Sequence, residues 1–143
     1  MPEPRTLLYQ HCGHDDDDLP FIELKLWNNS TFQTTLELTD ENDDPTNMTG
    51  WEVLIEIRDA KARNGTFGNL LYTLSTANSL VSLGTPTAGL LSLTIPFSDA
   101  VNFTWTHGYF DALYSVTSGA SWFPFMTGEA FVHFGCTDPR DWS

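Results

Sequence analysis

The sequence predicts an all-β fold, an antiparallel β-sandwich of the Ig-like kind, with one short helical turn and an extended N-terminal arm. Three observations support this class. Apolar and polar residues alternate with a period of two in several short segments. Polar turns rich in Asp, Asn, Pro and Gly separate these segments. About eight strands at this spacing favour a sandwich or barrel over an α/β enzyme.

The N-terminal segment differs from the rest of the chain. We interpret residues 1–18 as an extended arm, residues 19–136 as the β-sandwich domain and residues 137–143 as a short tail. The arm contains "HCGHDDDD", whose four consecutive carboxylates repel one another and disfavour compact packing. His11, Cys12 and His14 are metal-ligand types. No second knuckle matches them, so we predict no bound metal and no cofactor.

The first three predicted strands each turn alternate side chains toward a core. The inward residues are Ile22, Leu24 and Leu26 in "FIELKLW"; Phe32, Thr34, Leu36 and Leu38 in "TFQTTLEL"; and Trp51, Val53, Ile55 and Ile57 in "WEVLIEIR". This alternation is typical of half-buried antiparallel strands.

The second half of the chain predicts shorter elements and a closing hairpin. Strands are expected at "LLYTLS", "SLVSL" and "GLLSLTIP". One or two helical turns are expected in "SDAVNFTW", capped by Ser98 or Asp99 and ended by Gly108. The strands "YFDALYSV" and "FPFMTGEAFVHFG" form a hairpin that turns at "SGAS". Pro124 indicates a strand start, an edge or a bulge.

Composition restricts the classes of partner. The 143 residues carry a formal net charge of −13, so direct nucleic-acid binding and attraction to anionic membranes are disfavoured. The same charge predicts that isolated copies repel one another at low salt. No apolar run reaches the roughly 20 residues that a membrane helix needs, so no membrane insertion is expected. Without a signal-like stretch, synthesis in a cytoplasm and free thiols at Cys12 and Cys136 are expected.

Catalytic motifs are missing from the sequence. It contains no G-x-S-x-G, no H-E-x-x-H and no Gly-rich phosphate loop, and His107 and His133 have no obvious nucleophile beside them. We therefore predict a protein that is not an enzyme and that acts through contacts with other proteins.

Exposed aromatic and acidic side chains are the candidate contact residues. Aromatic anchors carry much of the affinity of protein interfaces. The candidates are Asp15, Asp16, Asp17, Asp18, Trp122, Phe123, Phe125 and Trp142. The alternative for the three hairpin aromatics is that they close the core. A further alternative is that the tryptophans line a carbohydrate-binding surface.

Several loose motifs follow one another in a recognisable order. Thr49, Gly50 and Trp51 precede a strand that ends in Ile57 and Arg58. A turn at residues 74–78 and a strand that begins at Gly108-Tyr109 come next. The chain then closes with Met126, Gly128, Val132, Cys136 and Thr137.

Over roughly residues 30–138 this order resembles a family of small virion proteins of tailed bacteriophages. The sequence departs from the family pattern at Phe110-Asp111-Ala112, where Tyr-Asp-Leu is usual. The resemblance implies a non-enzymatic virion component, assembled in the host bacterial cytoplasm, that serves as a tail, baseplate or fibre-attachment adaptor. Its implied partners are other virion proteins and copies of itself in a symmetric assembly. The alternatives are a capsid decoration protein that stabilises the head shell and a carbohydrate-binding receptor module.

Overall fold

The computed structural model describes the backbone of residues 5–9 and all atoms of residues 19–142. The strands are β1 (Arg5–Tyr9), β2 (Phe21–Trp27), β3 (Phe32–Thr39), β4 (Glu52–Arg58), β5 (Leu70–Ser75), β6 (Val81–Ser82), β7 (Leu90–Ile95), β8 (His107–Ser115) and β9 (Phe123–His133). In residues 19–142 the structure also has one α-helical turn, α1 (Phe97–Ala100), and two 3-10 turns, Pro86–Ala88 and Pro139–Asp141.

The strands form two sheets, and the predicted all-β sandwich is confirmed. One sheet has four strands in the order β1-β3-β7-β6, and the other has five in the order β2-β9-β8-β4-β5. The predicted hairpin is the antiparallel pair of β8 and β9. Within the described residues, no helix is long and apolar enough to cross a membrane.

Two strand pairs are parallel, which corrects the expectation of a wholly antiparallel sandwich. Strand β2 lies parallel to β9, with Phe21 opposite Thr127 and Trp27 opposite His133. Strand β1 lies parallel to β3. Part of the predicted arm is therefore an edge strand of the four-stranded sheet. Parallel pairs join segments far apart in the chain, so local alternation carries no signal for them.

The core lies between the sheets and is lined by the predicted inward residues. In the first three predicted strands, Ile22, Leu24, Leu26, Thr34, Leu36, Leu38, Val53, Ile55 and Ile57 are all buried. Phe32 and Trp51 are half-buried and pack against the edge of this core. The alternating pattern therefore identified the buried face of these strands correctly.

The helical turn differs from its predicted position. It begins after Pro96 and ends at Ala100, and no side chain caps its first turn. Asp99 instead accepts a 2.6 Å hydrogen bond from the hydroxyl of Tyr72. Gly108 does not end the turn but lies in β8, where a Cβ atom would collide with the side chain of Ile57. Its role is close packing between neighbouring strands.

Pro124 marks a β-bulge, one of the three predicted possibilities. Leu113 of β8 faces Pro124, whereas the preceding Ala112 faces Met126. Phe125 is therefore an extra residue on β9. From Met126 onward the strand resumes its alternation, but Phe125 and Met126 are consecutive and both fully buried. A bulge places two residues opposite one and so breaks the simple inward–outward rule.

Candidate functional site

The two ends of the sandwich differ, and we name each by its residues. The hairpin end consists of the β8–β9 loop (116–122) and the neighbouring β3–β4 loop (40–51). Both loops meet there because Glu52, at the start of β4, pairs with Ser115, at the end of β8. The basic end lies about 35 Å away along the eleven residues of β9. It holds the ends of β2, β4 and β9 and the start of β8.

The β8–β9 loop is held by a network of short hydrogen bonds. The fully buried hydroxyl of Ser115 accepts the backbone N–H groups of Thr117 (3.2 Å) and Gly119 (3.0 Å). The hydroxyl of Thr117 accepts the N–H of Ser121 at 2.9 Å. Gly119 has a φ of 89°, a conformation that glycine adopts at little cost. These bonds give the residues that follow a defined orientation.

An aromatic cluster packs between this loop and the core. Trp51 stacks on Tyr114 with ring centroids 4.0 Å apart and planes 9° from parallel. Phe125 contacts Trp51 at 5.3 Å and Tyr114 at 6.0 Å, and Phe123 contacts Tyr114 at 5.7 Å. Aromatic pairs at such separations contribute packing energy beyond the area that they bury. The hairpin end is therefore anchored to the core by stacked rings.

The three predicted contact residues of the hairpin differ in how far their side chains are exposed. Trp122 is 38% exposed and Phe123 is 49% exposed, so both present apolar surface to solvent. Phe125 is fully buried, and its predicted role as a contact residue is wrong. Strict alternation would place Phe123 and Phe125 on the same face, but the bulge turns Phe125 into the core. For Phe125 the alternative of core closure holds.

The remaining predicted contact residues are Trp142 and four aspartates. Trp142 is 89% exposed but lies in the tail after β9, at the basic end. The tail is attached there because the side chain of Asn29 donates a 3.0 Å hydrogen bond to the carbonyl of Thr137. The four predicted aspartates lie outside the described residues; they are Asp15, Asp16, Asp17 and Asp18.

The acidic β3–β4 loop lies at the same end of the sandwich. The sequence pattern predicted it only as a polar turn, and not as a candidate contact surface. The carboxylate of Asp40 accepts the N–H groups of Asn42 (2.9 Å) and Asp44 (3.1 Å) and so holds the loop closed. Glu41, Asp43 and Asp44 are exposed. They lie at the same end of the sandwich as Trp122 and Phe123.

Four titratable groups elsewhere have shifted pKa values, and one of them is Arg140, whose pKa is raised by its hydrogen bonds to Asp138. Burial and the bond to Asp99 raise the pKa of the Tyr72 hydroxyl far above its usual value. Burial, with a smaller contribution from the neighbouring charge of Glu56, raises the pKa of Asp111. In the tail, hydrogen bonds from Arg140 lower the pKa of Asp138 to about 2. Each shift has a structural cause, and none marks a reactive group.

The His, Cys, Asp and Glu side chains of the described residues do not gather into a metal-binding cluster. No group of three or more His, Cys, Asp or Glu side chains converges among them. The Nε2 atom of His107 lies 2.7 Å from Oε1 of Glu129, and its ring stacks on that of Phe131. His107 therefore contacts side chains of the neighbouring strand β9. Cys136 is a free, exposed thiol. The other predicted ligand types, His11, Cys12 and His14, lie outside the described residues.

Comparison with known proteins finds likeness among solved structures. No family model and no curated protein matches the chain. Among solved structures, the fold is similar to the N-terminal domain of phage TP901-1 ORF48, with 14% sequence identity and a TM-score of 0.52. The alignment covers 93% of this chain and 99% of that domain. At this identity the likeness establishes a shared fold.

Proposed function

We propose that this chain is a non-enzymatic structural protein of a phage virion and serves as an adaptor in the tail, the baseplate or fibre attachment. The observation that carries the proposal is the fold likeness to a phage protein domain over nearly the whole of both chains. The order of sequence motifs supports the same class independently. In this role the protein binds other virion proteins and copies of itself.

The hairpin end is the contact surface that fits this role best. Trp122 and Phe123 are exposed large aromatics on a loop whose backbone is already held by hydrogen bonds. A pre-ordered loop loses little conformational entropy on binding, so more of the contact energy appears as affinity. Buried aromatic anchors surrounded by a polar rim are the usual arrangement of an interface hot spot. The acidic loop at Asp40–Asp44 supplies such a rim.

Variants of the hairpin end test this assignment. Trp122→Ala and Phe123→Ala are expected to lower the amount of the protein recovered in purified particles, with circular dichroism of the isolated protein unchanged. Phe21→Ala is a matched control, because Phe21 is 56% exposed and aromatic, like Phe123, but lies on the edge strand β2 opposite Thr127, away from both ends. Normal incorporation of both hairpin variants would remove this surface from the proposal.

The position and copy number of the protein in the particle separate the possible roles. Six or twelve copies at the tail support the adaptor. Hundreds of copies on the head shell would instead identify a decoration protein. Glycan binding by the isolated protein, abolished by loss of an exposed tryptophan, would favour a receptor module. Quantitative mass spectrometry of separated heads and tails, with a glycan-binding assay, makes these distinctions.

A further inference from the structure

Positive charge is concentrated at one end of the molecule. The five Lys and Arg side chains that the structure describes all lie at the basic end; they are Lys25, Arg58, Lys61, Arg63 and Arg140. Strand pairing places Lys25 and Arg58 at the same end of the five-stranded sheet, since Arg58 faces Tyr109, Lys25 faces Phe131, and Phe131 faces His107. A chain with a net charge of −13 thus carries its described basic groups on one side.

The basic end also exposes aromatic surface next to its cations. The Nζ atom of Lys61 lies 5.8 Å from the ring centroid of Tyr109, and the guanidinium of Arg58 lies 5.3 Å from that of Phe67. Phe67 is 68% exposed and Trp27 is 51% exposed. Lys61, Phe67 and Tyr109 line an open groove of about 990 Å³, formed by the β4–β5 loop. The groove offers both apolar contact and positive charge to a ligand.

Most of these cations are available to a partner. Among the described residues, Lys25, Lys61 and Arg63 form no ion pair, whereas Arg58 pairs with Glu56 and Arg140 with Asp138. Carboxylates lie at this end too: Asp59 binds the backbone and side chain of Asn69, Glu129 contacts His107, Asp99 accepts from Tyr72, and Glu23 is exposed beside Glu129. The positive charge open to a partner is therefore local to the groove, at Lys61 and Arg63. Asp141 is exposed in the tail beside Arg140.

The opposite end has the complementary character. It carries the acidic loop with Glu41, Asp43 and Asp44 exposed, and it also carries the exposed Trp122 and Phe123. None of the five described Lys and Arg side chains lies there. One end of the sandwich therefore offers acidic groups with exposed aromatics, and the other offers basic groups with exposed aromatics and a groove.

We infer that the basic end is the docking surface for the hairpin end of a second copy of this chain. The acidic loop of one copy enters the groove at Lys61 and Arg63 of the next, and Trp122 and Phe123 meet the exposed aromatics there. Such a contact uses two different surfaces, so it is heterologous and builds a ring where the rotation closes or a filament where it does not. The inference rests on the proposed function only in taking the hairpin end as a contact surface.

Ionic strength reconciles this contact with the repulsion expected from the net charge. At 0.01 M salt the Debye length is about 30 Å, comparable to the molecule, and repulsion between whole copies prevails. Near 0.15 M it falls to about 8 Å, which screens the net charges but leaves groups in direct contact attracted. At 1 M even these contacts are weakened. Self-association is therefore expected to be strongest near physiological salt.

Charge reversal at each end tests the inference. The change Lys61→Glu with Arg63→Glu makes the groove acidic like the loop, and the change Glu41→Lys with Asp44→Lys puts two positive charges on the acidic loop, where only Asp40 and Asp43 stay acidic. Each variant alone is expected to self-associate at least 10-fold more weakly than the parent protein in sedimentation at 0.15 M salt. An equimolar mixture is expected to associate at least as well as the parent, because opposite ends again face each other.

A matched control changes the net charge by the same amount at other positions. This middle-face control, Glu23→Lys with Asp111→Lys, matches the acidic-loop variant in charge but lies on the outer faces of β2 and β8, outside both the acidic loop and the groove. It is expected to keep the association and its salt optimum. Circular dichroism confirms folding of all variants.

Three outcomes would overturn the inference. They are a parent protein that stays monomeric at every salt concentration, a variant mixture that fails to associate, and a middle-face control that loses association as fully as the end variants. If the protein stays monomeric but the basic-end variant is lost from particles, the groove binds another virion protein. In each of these cases reduced incorporation of Trp122→Ala still supports the adaptor, so the two proposals fail separately.

Discussion

Phe125 and Phe123 are two residues apart, yet their replacement should have very different effects on stability. Phe125 is fully buried and contacts the rings of Trp51 and Tyr114, whereas Phe123 is 49% exposed. Replacing a buried phenylalanine by alanine costs about 3–5 kcal/mol, because apolar burial is lost and a cavity remains. Replacing a half-exposed one is expected to cost about 1 kcal/mol, since only part of the side chain is buried.

These free energies predict a measurable gap in thermal stability. For a domain of this size, a change of 1 kcal/mol shifts the melting temperature by roughly 3 °C. Phe125→Ala should therefore melt about 9–15 °C below the parent protein, and Phe123→Ala about 3 °C below it. Guanidinium unfolding followed by tryptophan fluorescence gives the free energies directly, and thermal circular dichroism gives the shifts.

The following results would contradict this prediction. If Phe125→Ala costs less than about 1 kcal/mol, Phe125 is not a core residue and the bulge at Pro124 is misplaced. If Phe123→Ala proves the costlier change, β9 is shifted by one residue, and every inward and outward assignment between Phe123 and the bulge reverses. Equal, moderate losses would indicate that the hairpin end is loosely packed.

Three further substitutions probe separate parts of the fold, and chemical unfolding measures each of them. Gly128→Ala should destabilise the protein by about 1–3 kcal/mol, because the added methyl group meets the backbone carbonyl of Ile22, and wild-type-like stability would contradict this packing. Tyr72→Phe should cost about 1–2 kcal/mol by removing the hydrogen bond to Asp99. Because the pKa of Tyr72 is raised, its contribution is complete below about pH 10 and is lost as the pH rises further, so the variant should show a flatter alkaline decline in stability. Asp111→Asn should raise stability at neutral pH and leave it unchanged in acid, because burial raises the pKa of this carboxyl and disfavours its charged form; a loss at neutral pH would refute this.

Much of the fold was predictable because alternation is a local property of the chain. The inward faces of β2, β3 and β4, the final hairpin and the bulge near Pro124 all follow from residues within a few positions of one another. The exposure of Trp122 and Phe123 was also expected, since both stand next to a polar turn. For these features the sequence contains the physical cause, which is the period-two pattern and its interruption by proline.

The extent of the helical turn was not predictable in the same way. Ser98 and Asp99 are good capping residues, yet the turn starts at Phe97 and lasts four residues. Asp99 is engaged by Tyr72, which is 27 positions away in the chain. A tertiary hydrogen bond thus outweighed the local capping preference, which is a weak signal on its own.

By itself, the sequence determined the all-β class, the buried faces of the main strands and the acidity of the chain. The tertiary structure alone decided which strands pair in parallel, that Phe125 belongs to the core, and that acidic and basic groups collect at opposite ends. The physical reason is that these features depend on pairing between distant segments. Lys25, Arg58 and Lys61 share one end of the molecule only because β2, β9, β8 and β4 align their ends in one sheet.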